Sequence, residues 1–357
     1  LLASRGGPAS PAPQLPEPTH MSIRFLTAAA ILVAAPVALA DHTASALAGG
    51  GAGPINTMSA DTLPEGLFSV CWQVEELDLT TFSNAELTAF AAEDVDAHSV
   101  DRILVQSVCF EYGVSDAFTL GARLPYIARH DVREPEVDGG VPGVAAIGDS
   151  DGLGDLSVYG KYRLNDAGRD GLEWAVLGGL KLSTGETHER DDEGALFETE
   201  FQPGSGAVDP LLGLAVTRRF GASSLSASVL GVFTTEGSQD TELGDVRTYN
   251  LGYAYRLGGE PPREPGHPRD RAHDAAEGTA WDLILELNAI HRQSQTIDGD
   301  KDPNSGGTTV FVSPGVRATV GERWSAYASV GLPVSDDPNG AEQETDLRAV
   351  AGVSWSF

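Results

Sequence analysis

In the stretch 347–357 every second residue is apolar: Leu347, Ala349, Ala351, Val353, Trp355 and Phe357. Arg348, Gly352, Ser354 and Ser356 lie between them. A period of two is the mark of a β-strand with one greasy face. The alternation recurs upstream. Phe68, Val70, Trp72 and Val74 oppose Ser69, Cys71, Gln73 and Glu75. Val108, Phe110 and Tyr112 oppose Ser107, Cys109 and Glu111, and Leu120, Leu124 and Tyr126 oppose Thr119 and Arg123. A fourth strand starts at Asp155, and further ones follow from Leu172, Leu211, Leu225, Tyr249, Ala280, Thr308 and Trp324. A last strand with an open edge invites mispairing, and pairing it with the first removes the edge.

The pattern predicts an all-β chain. It is a single antiparallel transmembrane β-barrel over residues 67–357, of about twelve strands, with ten and fourteen left open. Connections after strands two, four, six and ten are short and the others long, as expected of short periplasmic turns and long acidic outer loops. Residues 258–279 break the rule. They are long on the turn side, and their Pro and charge content reads as a flexible insertion.

Ahead of the barrel, residues 1–20 have no periodicity and read as a non-native upstream extension. Residues 21–40 have the parts of a secretory signal: Arg24, an apolar run from Phe25, and a small-residue site with cleavage between Ala40 and Asp41. The segment 41–66 is too Gly-rich for a strand or helix. It is expected at the periplasmic rim or inside the lumen, with a disordered leader as the alternative.

Composition narrows the function. No apolar run long enough for a membrane helix follows residue 40. A formal net charge of −29 argues against nucleic acid as a partner. Two cysteines offer no zinc scaffold, and no cofactor or metal is expected. Asp298, Asp300 and Asp302 alternate like the start of a calcium loop, but its twelfth position is Thr309 rather than Glu. Gly152-x-Gly154 lacks the strand and helix of a nucleotide loop. The acidic outer loops suit divalent cations bridging to lipopolysaccharide, with a plain solvated surface as the simpler account.

Strand parity turns Arg123, Lys161, Arg163, Lys181, Arg219, Arg256, Arg317 and Arg348 inward, along with Glu75, Glu111, Glu173, Asp282 and Glu286. Buried charges must pair or meet water. Complete pairing would give a plugged, structural barrel. Residual water would leave a constriction of Arg123 and Lys161 facing Glu75 and Glu286 across the bore, with Tyr159 and Tyr327 to stack a ring. Cys71 and Cys109 both face inward on neighbouring strands, and one register about residue 90 sets them opposite each other. A disulfide there suits an oxidising periplasm, and two unbridged thiols a register step apart is the alternative.

The run Gly152-Leu-Gly-Asp155 leading into Lys161-Tyr-Arg163 resembles the outer-membrane channel family associated with the meta-cleavage pathway of phenol degradation. Gly53-Pro-Ile-Asn-Thr57 and His98-Ser-Val-Asp101 resemble that family too. The terminal Trp355 and Phe357 resemble the closing strand of bacterial outer-membrane barrels, where that end is the signal read by the barrel-assembly machinery. The resemblance implies a bacterial outer-membrane channel or transporter passing small solutes, hydrophobic or aromatic ones among them. The competing class is a lipid hydrolase on the barrel rim, which would need a serine beside His291.

Overall fold

The structure is a computed structural model of the chain, and residues 53–167, 171–258, 278–321 and 323–357 are described here. The strands are β1 (Phe68–Leu79), β2 (Arg102–Ser115), β3 (Phe118–Asp138), β4 (Val141–Leu153), β5 (Ser157–Arg163) and β6 (Leu172–Lys181). Then come β7 (Asp209–Phe220), β8 (Ser223–Val232), β9 (Thr241–Glu242), β10 (Val246–Leu257) and β11 (Thr279–Arg292). The last are β12 (Thr296–Ile297), β13 (Asp300–Lys301), β14 (Gly307–Val320), β15 (Trp324–Pro338) and β16 (Thr345–Ser356). A helix, α1 (Asn84–Glu93), lies between β1 and β2.

Each long strand pairs antiparallel with its neighbours, and β1 pairs with both β2 and β16. The Phe68 and Phe357 amides and carbonyls exchange hydrogen bonds at 2.9 Å, so the sheet closes on itself. The wall has twelve staves, because β4 and β5 together form one. β3 pairs with β5 over Phe118–Arg123 and with β4 from Tyr126 onward. The fourth stave therefore does not begin at Asp155. Residues 141–153 already pair with β3, and the expected loop there is a long hairpin turning at Gly139 and Gly140, both at positive φ.

β11 shows why these residues make a membrane wall. Trp281, Leu283, Leu285 and Leu287 are exposed on the outer face, while Asp282, Ile284, Glu286 and Asn288 are buried within. Only lipid makes so much outward apolar surface stable. Aromatic rings collect at the turn end, where Phe68 stacks on Tyr112 at 4.6 Å and Trp355 lies 4.4 Å from Phe357. Such a girdle belongs at a membrane interface.

At this end Asp116–Ala117 and Gly221–Ala222 make tight turns. At the opposite end the connections are long, and by the rule for such barrels that end faces outward. Asp298 and Gly299, both at positive φ, turn the β12–β13 hairpin, which accounts for the alternating acids from 298 to 302. α1 starts on a capping box in which Ser83 and Glu86 satisfy each other's backbone amides. The signal segment with Ala40 and Asp41, and most of the 258–279 insertion, fall outside the described residues.

Candidate functional site: the barrel lumen and its two closures

The lumen is polar because the inward half of each alternating strand is polar. Its charges pair along the wall rather than across the bore. Arg348 Nε donates to Glu75 Oε1 at 2.7 Å, and Arg256 grips Asp282 through Nε and a terminal nitrogen at 2.8 and 2.9 Å. Arg219 binds Glu173 at 2.6 Å, and Lys181 holds Asp155 at 2.7 Å and Asp209 at 2.9 Å. Arg256 and Asp282, like Lys181 and Asp209, stand directly opposite in the register. Cross-strand neighbours are about 5 Å apart, within easy reach of each other's side chains. Of the residues expected at a constriction, Glu75 is bound by Arg348, and Glu286 by the stretch ahead of β1.

Arg123 donates to Ser107 Oγ at 2.9 Å on the adjacent strand. Lys161 is half-buried on the inner face, and among the described residues no ion pair reaches it. Tyr159 donates to Glu111 at 3.0 Å, with its ring over Gly121, where any Cβ would collide with it. Tyr327 donates to Gln73 at 3.0 Å and lies under the Arg317 guanidinium at 5.3 Å. Cys71 and Cys109 stand opposite each other in the β1–β2 register and are bonded, with Cα atoms 4.9 Å apart.

The partner of Glu286 is the stretch ahead of β1. Asn56 N donates to its carboxylate at 2.9 and 3.0 Å, Thr57 N at 2.8 Å, and Asn56 Nδ2 at 3.0 Å. The segment then crosses the bore. Met58 N donates to Ser228, Ala60 N to Thr217 and Leu63 N to Thr119, while Arg219 takes Asp61. Ile55 packs with Ala254, Ile284, Tyr327 and Val350, and Met58 with Tyr159, Leu177, Leu211 and Leu230. Gly252 permits this approach, since a Cβ there would lie 2.6 Å from Pro54. Of the segment 41–66, the described part from residue 53 lies in the lumen.

The outer half is closed differently. The β6–β7 connection folds back into the mouth. Phe197 and Phe201 join Leu77, Leu79, Val100, Ile103, Val105, Ile127 and Val132 in one core. Asp155 anchors it, accepting from Thr184 N at 3.1 Å, Gly185 N at 2.9 Å and Ser205 N at 2.9 Å. The Gln202 amide satisfies the lid's own backbone, donating to Glu189 O at 3.0 Å and Phe197 O at 2.8 Å.

Beside Phe201, His98 gathers carboxylates from three connections. Its Nδ1 is 3.0 Å from Glu200, and its Nε2 is 3.6 Å from Glu198 and 3.8 Å from both Asp96 and Glu134. Burial pushes the imidazole pKa down, but Glu200, Glu198 and Asp96 outweigh it and raise it to about 10. Burial, then the neighbouring carboxylates against the opposing pull of His98, raises Glu198 to about 7. His98, Glu198 and Glu200 are the described residues arranged so as to be able to hold a metal ion. Sequence reading expected no metal, from the two cysteines and the failed calcium-loop pattern, and His98 lies about a hundred positions from the two glutamates.

His291 sits at the loop end of β11, with Nδ1 2.9 Å from the hydroxyl of Thr308. The rim-hydrolase reading needed a serine there. No protein-family model matches the chain, and no curated protein matches it. Among solved structures, an outer membrane channel from Pseudomonas putida F1 aligns with a TM-score of 0.52 and 15% identity, over 84% of this chain and 98% of that one. The chain has the fold of an outer-membrane β-barrel. The β domain of the Bordetella autotransporter BrkA aligns at a TM-score of 0.42 and 13% identity, over 83% of this chain and 100% of that one. The CymD monoaromatic hydrocarbon channel also aligns at 0.42, with 10% identity, over 83% of this chain and 89% of that one. At these identities the likeness is one of fold.

Proposed function

We propose that this chain is an outer-membrane channel for the passive passage of small solutes, with the segment 53–63 as a removable constriction. The observation that carries the reading is the chemistry of that segment's seat. Its backbone amides rest on side-chain acceptors of the wall: Glu286, Ser228, Thr217 and Thr119. Water can take over each of those hydrogen bonds when the segment leaves, so withdrawal would leave a hydrated, polar bore.

In this reading the chain is exported by its signal segment, cleaved between Ala40 and Asp41, and inserted through Trp355 and Phe357 by the barrel-assembly machinery. It then lies beside lipopolysaccharide. The Gly152–Asp155 and Lys161–Arg163 motifs favour hydrophobic or aromatic solutes of the phenol-degradation kind. Arg123 and Lys161 would meet the carboxylate of an aromatic acid once the bore is open.

The test is conductance in planar bilayers of the refolded chain and of a variant lacking residues 53–63. The deletion is expected to raise single-channel conductance several-fold, and Lys161→Gln in that background to reduce preference for anions. A folded deletion variant that conducts no better than the full chain would overturn the reading.

A further inference from the structure

The cluster around His98 has the layout of a metal site, and this is independent of whether the barrel conducts. Glu200 Oε1 lies 3.0 Å from Nδ1, and the other oxygen of Glu200 accepts from the Gln295 amide. A metal-ligating histidine almost always donates its other ring N–H to a carboxylate, backbone carbonyl or water, which fixes the tautomer and aims the ligating nitrogen. The ring is also braced edge-on against Phe201, with centroids 4.8 Å apart. Nε2 is thereby pointed at Glu198 at 3.6 Å and at Asp96 and Glu134 at 3.8 Å.

Those separations are too long for hydrogen bonds. They lie close to the roughly 3–3.5 Å that ligand atoms keep from one another around a first-row cation with bonds of about 2.0–2.2 Å. Among the described residues no lysine or arginine pairs with Glu198, Asp96 or Glu134. The nearby Arg133 is spent on Asp131, Asn84 and Ser99. Glu198 and Asp96 are 54% and 57% exposed, so an ion can arrive from outside, whereas His98 is 16% exposed and held.

We propose that His98 Nε2 and Glu198, completed by Asp96 or Glu134, bind a first-row divalent cation of the zinc or manganese class, with Glu200 as the positioning residue behind the imidazole. An imidazole donor selects such ions over calcium and magnesium, which prefer all-oxygen shells. The bound ion straps the β1–β2 connection and the β3–β4 hairpin to the lid.

The test uses the full refolded chain in detergent, stripped with chelator and titrated calorimetrically with zinc, manganese and calcium chlorides. One zinc or manganese ion per chain is expected, with calcium at least about a hundredfold weaker. His98→Ala should lose most of the affinity, and Glu200→Gln about 10–100-fold, as outer-shell partners generally do. Glu193→Gln, on the exposed part of the same connection, should bind as wild type. Heat-modifiable gel mobility verifies folding, and if His98→Ala fails to fold, the half-exposed Glu198→Gln serves in its place. Absence of zinc and manganese binding, or binding that neither His98→Ala nor Glu198→Gln weakens, or calcium binding as tightly as zinc, would overturn the proposal.

Discussion

The bore is closed twice, by opposite chemistry. The inner closure, residues 53–63, is fastened to wall side chains by hydrogen bonds, with Ile55 and Met58 as apolar anchors. The outer closure is a small hydrophobic core around Phe197 and Phe201, supplemented by hydrogen bonds within the lid, to Asp155, and from Arg129, Ser150 and Gln239 around it. Water competes well for exchanged hydrogen bonds and poorly for packed apolar surface. The inner closure is therefore built to leave and return, and the outer one to stay.

The largest expected effect breaks the comparison at the lid. Phe201→Ala removes a ring that is 2% exposed, and such truncations cost about 3–5 kcal/mol. Proteolytic nicking between residues 183 and 208 should rise steeply while barrel mobility on gels stays folded. A lid that resists nicking as before would mean that packing does not hold it.

The disulfide sets a control that should move neither closure. Cys71 and Cys109 enclose a separation of 38 residues, for which loop-closure entropy is worth about 3–4 kcal/mol. Replacing both by serine should lower the urea midpoint of the whole barrel and leave conductance and lid nicking unchanged. Thiol counting by mass spectrometry without reductant establishes the bond first, and two free thiols would remove it.

At the inner closure the effect is smaller and more specific. Glu286→Gln keeps the shape of the side chain but loses the charge that gathers the Asn56 and Thr57 amides. Hydrogen bonds to a charged group contribute about 1.5–3 kcal/mol, so the segment should detach more often. Faster hydrogen exchange at Asn56 and Thr57, together with longer open dwell times, would show it. Unchanged exchange would mean that Ile55 and Met58 alone hold the segment.

The unequal legibility of these parts follows from the range of their contacts. The wall was readable because period two is a local property, and twelve staves follow from Trp72, Phe110, Leu285 and their like. The opposition of Cys71 and Cys109 was readable because a hairpin's register is symmetric about its midpoint. β4 was missed because residues 141–153 are largely small and polar, in a hairpin projecting beyond the greasy band. α1 carries its own signal in Ser83 and Glu86, a capping box in a stretch otherwise read as loop. The individual wall pairings, such as Arg348 with Glu75, were not legible because parity gives a side chain's face but not its neighbour. The seat of Asn56 on Glu286 and of His98 on Glu200 join residues 230 and 102 positions apart, and no local pattern encodes them.

The smallest effect concerns pH at the lid, measured with chelator present so that protons alone act. Burial alone would push His98 below its ordinary value near 6.5, but Glu200 and its neighbours raise it to about 10. A histidine raised in the folded lid stabilises it fully below about 6.5, and that contribution is lost as pH climbs through about 10. Glu198, raised by burial to about 7, acts in the same direction from about 4.5 upward, since the closed lid binds the extra proton. Both signs agree that the lid loosens as pH rises, while the inner closure, built on hydrogen bonds to the wall, has no such trend. Nicking of 183–208, normalised at each pH to an unfolded substrate, should increase a few-fold between pH 7 and 10 in the wild type. His98→Gln should flatten that rise while leaving conductance unchanged. An equal slope in both proteins would mean that the imidazolium does not help hold the lid, and the contrast between the two closures would then rest on packing alone.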